Sequence, residues 1–182
     1  MILVIANYRT GSTTLIKELH QKTGYKYWEQ YTGEWLHLDL SYRSPSDEIQ
    51  LYKVMPDQMM RNYDLFAFQY LNVADKIYFT VRKDVRAQID SLIRSSATGF
   101  WHPGDVSCVD KRPSFFDNQR KITYAKDIIL NNLKQQKELY NEYGGEIVYL
   151  EDRECNKYKR PDNIIISDYD LEILDAEEYF NE

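Results

Sequence analysis

The chain has 182 residues, of which 43% are hydrophobic, so it can bury a core as one domain over residues 1–182. No apolar run reaches the length of a membrane span, and residues 1–6 lack the basic segment and the cleavage site of a signal peptide. Two cysteines are too few for a disulfide framework or a zinc knuckle. These features predict a cytoplasmic protein with no membrane span and no metal.

The net charge of -6 is unevenly distributed. Seven acidic residues and no Lys or Arg lie in residues 168–182, which we expect to form an acidic C-terminal tail. The remainder of the chain is close to neutral. A nucleic-acid-binding protein carries a broad basic excess, so we expect no nucleic-acid partner.

The N-terminal residues predict a strand, a loop and a helix. Residues 2–6 (ILVIA) are continuously apolar, which is typical of a strand buried on both faces of a parallel sheet. A loop containing Gly11 follows, and residues 12–22 then have the periodicity of a helix that Gly24 can end. The apolar stripe of this helix consists of Leu15, Ile16 and Leu19. The segment is the first half of a βαβ unit.

The middle of the chain predicts two further strands. Residues 51–55 form the second strand, which Pro56 stops, and residues 57–62 form a short helix. Residues 76–81 (KIYFTV) form the third strand, and Asp84 is the expected N-cap of the helix after it. The apolar face of that amphipathic helix consists of Val85, Ile89, Leu92 and Ile93.

The last part of the chain predicts a loop, a long helix and the remaining strands. Residues 99–113 contain two glycines and two prolines and are expected to form a loop, and residues 118–143 form the longest helix. Residues 147–150 form the fourth strand, and residues 164–166 are a candidate fifth. Because strands alternate with helices, we expect a three-layer α/β/α fold with a mainly parallel sheet of four to five strands.

The segment NYRTGSTTL, residues 7–15, predicts a P-loop-like phosphate-binding turn after the first strand. A helix N-terminus after a strand offers backbone N–H groups and a positive dipole to an anion. Gly11 allows a tight turn, and Arg9 can bind phosphate or sulfate in a bidentate manner. Hydroxyl donors are available from Ser12, Thr13 and Thr14. The alternative is an ordinary βα turn with a Ser or Thr cap.

Two common nucleotide motifs are absent from this turn. The Walker A pattern requires a second glycine followed by Lys, and neither is present around Gly11. The GxGxxG pattern of dinucleotide-binding domains is absent as well. These differences disfavour a magnesium-dependent nucleoside triphosphatase and a Rossmann dehydrogenase.

The R-T-G-S-T run that begins at Arg9 resembles the 5′-phosphosulfate loop of sulfotransferases, which use 3′-phosphoadenosine 5′-phosphosulfate (PAPS). This resemblance implies that the loop binds the 5′-phosphosulfate of PAPS. The residues that it assigns to this role are Arg9, Thr10, Gly11, Ser12, Thr13 and Thr14.

A second motif follows the third strand. Residues 82–91 have the form R-x-D-x-x-x-Q-x-x-S, which looks like bacterial sulfotransferases related to trehalose sulfotransferase. The resemblance implies that Arg82 and Ser91 grip the 3′-phosphate of the nucleotide. Residues 51–59, with Lys53 at their centre, and residues 147–153 (IVYLEDR) are similar to two further segments of the family.

The chain also departs from the family pattern. Arg153 stands where the family usually has Leu. The Gly-rich basic segment of the animal cytosolic enzymes does not follow it.

The resemblance implies transfer of a sulfuryl group to a hydroxyl of a carbohydrate, lipid or phenol, with adenosine 3′,5′-bisphosphate as product. Arg9 would stabilise the leaving phosphate. The acceptor also needs a base, which the resemblance places at Glu29, with Glu34 as runner-up. In the cytosolic branch of the family the base is a histidine, for which His37 and His102 are the candidates.

Two other functions are compatible with these motifs. One is a non-catalytic nucleotide-binding protein of the same fold, and the other is a divergent P-loop-like kinase. The sequence leaves the acceptor and the oligomeric state open.

Overall fold

The computed structural model describes residues 1–27, 49–60, 63–98, 119–153 and 170–181. The strands are β1 (Ile2–Ala6), β2 (Leu51–Val54), β3 (Lys76–Val81) and β4 (Glu146–Tyr149). The α-helices are α1 (Ser12–Thr23), α2 (Pro56–Met59), α3 (Tyr63–Phe66), α4 (Val85–Thr98), α5 (Gln119–Tyr143) and α6 (Ala176–Asn181). A π-helix spans Ala67–Leu71, and a 3₁₀ turn spans Leu150–Asp152. The predicted loop at 99–113 and the predicted strand at 164–166 lie outside the described residues.

The four described strands form one parallel sheet in the order β2-β1-β3-β4. Ile5 of β1 is in register with Val54 on one side and with Phe79 on the other. After β1 the chain therefore adds a strand first on one side and then on the other. The carboxyl end of β1 is a switch point of the sheet, which is where open α/β sheets bind ligands.

Both faces of β1 are buried, as its continuous apolar sequence predicted. Ile2, Val4 and Ala6 pack with Leu15, Ile16 and Leu19 of α1. Leu3 and Ile5 belong to a second cluster on the opposite face, which includes Leu139 of α5. Helices thus pack against both faces of β1, and the described elements confirm the expected α/β fold with a parallel sheet, here of four strands.

The predicted helix boundaries follow from identifiable caps. Gly24 ends α1 in the left-handed conformation, with a φ of 71°. Asp84 caps α4, since its Oδ1 accepts a hydrogen bond of 2.8 Å from the Ala87 N–H. In the described ranges, no helix combines the length and the apolarity that crossing a membrane requires.

The acidic C-terminal segment packs against the domain over residues 170–181. Ile173, Ala176 and Phe180 are buried in a cluster with side chains of α4 and α5. The backbone is held too: the Val85 N–H donates to the Leu174 carbonyl at 3.2 Å, and the Ala176 N–H donates to the Lys83 carbonyl at 3.0 Å. The acidic residues are the solvent side of an amphipathic segment.

Candidate anion-binding site

Parallel pairing brings the carboxyl ends of all four strands to one edge of the sheet. The segments that follow these ends begin at Asn7, Met55, Arg82 and Leu150. Arg9 and Arg82, which the resemblance assigns to the two ends of one nucleotide, therefore lie in loops at the same edge.

The turn between β1 and α1 contains two residues in the left-handed region. Arg9 has a φ of 62°, and Gly11, the N-cap of α1, has a φ of 70°. A non-glycine residue in this region costs roughly 1–2 kcal/mol, so the surrounding structure must hold Arg9 there. Gly11 has no side chain to cap α1, and the first turn of α1 contains no acidic residue. The positive end of the helix dipole is thus not compensated by its own cap.

The side chain of Arg9 reaches the helix that follows β3. Its Nε donates a hydrogen bond of 3.1 Å to the Oγ of Ser91 on α4. The sequence assigned these two residues to different phosphates of one nucleotide, and the structure brings them into direct contact. This hydrogen bond uses one of the five N–H donors of the guanidinium.

The hydroxyl groups of the turn have different environments. The Thr10 hydroxyl points inward: it donates to the Asn7 carbonyl at 2.8 Å and lies 2.7 Å from the Thr80 hydroxyl. Because this hydroxyl already makes contacts inside the protein, the predicted role of Thr10 in nucleotide binding would fall to its backbone N–H group. Ser12 is buried, Thr13 is half-buried and Thr14 is exposed.

Lys53 and Arg153 join the turn from β2 and from the end of β4. Lys53 Nζ donates to Thr13 Oγ1 at 3.4 Å. Arg153 Nη1 donates to the Gly11 carbonyl at 3.1 Å, and its Nη2 lies 2.8 Å from Glu18 Oε2. We call residues 9–14, together with Lys53, Ser91 and Arg153, the loop site.

The sequence motifs include Lys53 and Arg153 but predict no role for either residue in this site. Lys53 is the centre of one family-like segment, and Arg153 is a departure from another. Lys53 is the penultimate residue of β2, and Arg153 follows the 3₁₀ turn after β4. The signal that could have found them is this position near the carboxyl ends of parallel strands, which lie at the edge that holds Arg9.

Arg82 lies in a different environment from Arg9. Its Nε is 3.5 Å from Glu151 Oε1, and the other oxygen of Glu151 accepts the Lys83 N–H at 3.0 Å. Lys83 Nζ is 3.0 Å from Asp152 and 2.8 Å from Glu177 of α6. Hydrogen bonds to Glu177 first and to Asp152 second raise the pKa of Lys83 above its ordinary value. We call these five residues the acidic corner.

The acidic corner changes what was expected of the second motif. The sequence predicted that Arg82 and Ser91 converge on one phosphate. In the structure Ser91 contacts Arg9, and Arg82 contacts Glu151. Binding of a 3′-phosphate by Arg82 stays a prediction, and it requires the phosphate to compete with the Glu151 carboxylate.

The candidates for the catalytic base, namely Glu29, Glu34, His37 and His102, lie outside the described residues.

Comparison of the chain with known proteins gave no significant match to a protein-family model, a curated protein or a solved structure.

Proposed function

We propose that the chain is a PAPS-dependent sulfotransferase that transfers a sulfuryl group to a hydroxyl of a carbohydrate, lipid or phenol. The observation that carries this proposal is the left-handed Arg9, held at the uncapped N-terminus of α1 with its guanidinium bonded to Ser91. The resemblance of residues 9–13 to a 5′-phosphosulfate loop supports it. Strained residues are frequent at functional sites.

The donors of the loop site fit a phosphosulfate group. Guanidinium, ammonium and first-turn N–H groups are the partners that proteins use for phosphate and sulfate. PAPS, when bound, supplies the sulfuryl group and leaves as adenosine 3′,5′-bisphosphate. Residues 9–14 would hold its 5′ end, and Arg82 and Ser91 are the proposed partners of its 3′-phosphate.

In this proposal the chain acts mainly by positioning and by stabilising charge. Arg9 and the first-turn N–H groups of α1 neutralise the negative charge that grows on the leaving phosphate. Lys53 adds a third positive group beside Thr13. Glu29 is the proposed base that accepts the proton of the acceptor hydroxyl, with Glu34, His37 and His102 as the alternatives.

The nucleotide assignment is tested by thermal denaturation with three ligands. Adenosine 3′,5′-bisphosphate should raise the midpoint more than AMP at equal concentration, because only the first carries a 3′-phosphate. Equal shifts for both would contradict the assignment. A shift with ATP alone would favour the divergent kinase.

The reaction is tested with labelled PAPS and a panel of sugar, lipid and phenol acceptors. Glu29→Gln should keep bisphosphate affinity and lower transfer by roughly a hundredfold, the scale of general-base loss. Loss of transfer in Glu34→Gln or His37→Ala instead would move the base and keep the reaction. Donor binding without transfer to any acceptor would favour the non-catalytic nucleotide-binding protein.

A further inference from the structure

Gln88 of α4 is a wholly buried amide with a single polar contact among the described residues. Its Nε2 donates a hydrogen bond of 2.7 Å to the Tyr8 carbonyl. Within the described part of the chain its Oε1 has no donor. Burying an amide costs free energy, which only its hydrogen bonds can offset. For Gln88, the hydrogen bond to the Tyr8 carbonyl is the contact that offsets part of this cost.

The contact fixes the peptide that enters the left-handed residue Arg9. The Tyr8 carbonyl and the Arg9 N–H belong to one planar unit, so a donor on that carbonyl sets the orientation of the plane. The Tyr8 N–H is held as well, by Asn7 Oδ1 at 2.8 Å. The backbone before Arg9 is thus held at both polar groups of Tyr8.

The same helix holds the side chain of Arg9. Ser91 lies three residues after Gln88, which places both side chains on one face of α4. Gln88 holds the backbone before Arg9, and Ser91 accepts from its Nε. One rigid helix therefore determines both the conformation and the direction of this arginine.

A second buried glutamine provides a comparison within the molecule. Gln136 of α5 is also wholly buried, and its Oε1 likewise has no donor among the described residues. Its Nε2 donates to the Ile5 and Thr80 carbonyls, at 3.0 and 3.2 Å. These carbonyls belong to strands β1 and β3, so Gln136 braces the sheet, whereas Gln88 braces the turn.

We propose that Gln88 is a positioning residue of the loop site, which keeps Arg9 in the left-handed conformation that directs its guanidinium at a bound anion. This inference rests on the proposed function only in that the turn binds an anion. It adds that the affinity for the anion is set through α4.

The test compares Gln88→Leu with the matched variant Gln136→Leu. Both should lower the thermal midpoint, because both remove hydrogen bonds from a buried amide to backbone carbonyls. Only Gln88→Leu should weaken binding of inorganic pyrophosphate, by about tenfold, as measured by calorimetry. If Gln88→Leu does not fold, Gln88→Asn carries the same expectation, since its shorter side chain cannot reach the Tyr8 carbonyl.

A double-mutant cycle separates positioning from a general effect on the fold. Arg9→Gly removes the guanidinium and also tolerates a positive φ. In that background Gln88→Leu should change pyrophosphate affinity by less than about twofold. An equal loss in both backgrounds, or an unchanged affinity in Gln88→Leu alone, would overturn the role of Gln88.

The outcomes also distinguish this inference from the proposed function. If pyrophosphate binding follows the expected pattern and adenosine 3′,5′-bisphosphate has no advantage over AMP, the nucleotide assignment fails and the role of Gln88 stands. If the bisphosphate is preferred and Gln88→Leu binds like wild type, only the role of Gln88 fails. If wild type binds neither ligand, both fail.

Discussion

The loop site and the acidic corner lie at the same edge of the sheet and use their cations differently. In the loop site, Arg9 and Lys53 donate to the hydroxyls of Ser91 and Thr13. A hydroxyl carries no charge, so these two hydrogen bonds orient the cations without neutralising them. In the acidic corner, Arg82 and Lys83 meet carboxylates that arrive from other elements. An arginine at a strand end is therefore not a binding residue by its position alone.

The acidic corner has a structural role, which is to connect three segments of the chain by ion pairs. Its acids come from the 3₁₀ turn after β4 and from α6, and they meet the residues that link β3 to α4. Exposed ion pairs are individually weak, so the apolar side chains beneath them provide most of the attachment of residues 170–181. The loop site differs in part: Arg153 is paired with the Glu18 carboxylate, whereas Arg9 and Lys53 contact the hydroxyls of Ser91 and Thr13.

The largest effect on stability is expected in the apolar cluster that attaches residues 170–181 to the domain. Phe180→Ala should destabilise the protein by about 3–5 kcal/mol, because the buried ring packs at 6.0 Å from that of Tyr140. Urea denaturation measures the loss. Leu174→Ala is the matched control, since Leu174 is 62% exposed and should change stability little. Equal stabilities of the two variants would show that the C-terminal segment is only loosely attached.

The next effect concerns the loop site itself. Arg9→Ala should weaken pyrophosphate binding by roughly tenfold or more, which corresponds to the ~1.5–3 kcal/mol of a charge-assisted hydrogen bond. The affinity should also become less sensitive to salt. Lys134→Ala removes a cation that is paired with Glu172 and should have no effect. A similar loss in both variants would mean that only net charge matters, and the comparison between the two regions would then fail.

A smaller effect tests whether Arg82 can leave the acidic corner. Glu151→Gln removes the carboxylate beside Arg82, so the affinity for adenosine 3′,5′-bisphosphate should rise by roughly threefold, the scale of one partly exposed ion pair. AMP affinity should not change. The control is Glu146→Gln at the start of β4, which breaks the ion pair with Lys76 at the start of β3. If Glu151→Gln leaves the preference for the bisphosphate over AMP unchanged, Arg82 has a structural role and does not bind the 3′-phosphate.

The smallest effect is a pH dependence at Tyr149 of β4, whose ring lies 5.0 Å from Lys83 Nζ of the acidic corner. Burial first, and the nearby Glu177 carboxylate second, raise the pKa of Tyr149 above its ordinary value near 10. The folded state then keeps this proton at a pH where the unfolded state loses it. The stability contribution is therefore complete below pH 10 and decreases as the pH rises through the folded-state pKa.

Tyr149→Phe removes this titration, so its free energy of unfolding should decrease less than that of wild type between about pH 9 and 11. Denaturant titrations at the two pH values measure the difference. Tyr124→Phe, at an exposed tyrosine of α5, should follow wild type. A steeper decrease for Tyr149→Phe would contradict the assigned sign.

Much of the fold could be predicted because its signals are local. The strands at Ile2–Ala6 and Lys76–Val81 match their predicted bounds, since runs of apolar residues are typical of strands buried on both faces. The helix at Tyr63–Phe66 and the π-helix at Ala67–Leu71 were not predicted. In the π-helix, Tyr70 is buried whereas Phe68 is 73% exposed. Its aromatic side chains therefore do not lie on one buried face, and the sequence shows no amphipathic pattern that predicts a helix there.

The sequence by itself determined the type and chain order of the described strands and longer helices, and it placed Arg9 and Arg82 after the first and the third strand. These properties depend on residues a few positions apart, which periodicity and caps reveal. Only the tertiary structure decided the partner of each cation. The contact from Arg9 to Ser91 spans 82 residues, and the contact from Arg153 to Gly11 spans 142. No local pattern encodes such pairings, because they arise when a parallel sheet gathers distant strand ends at one edge.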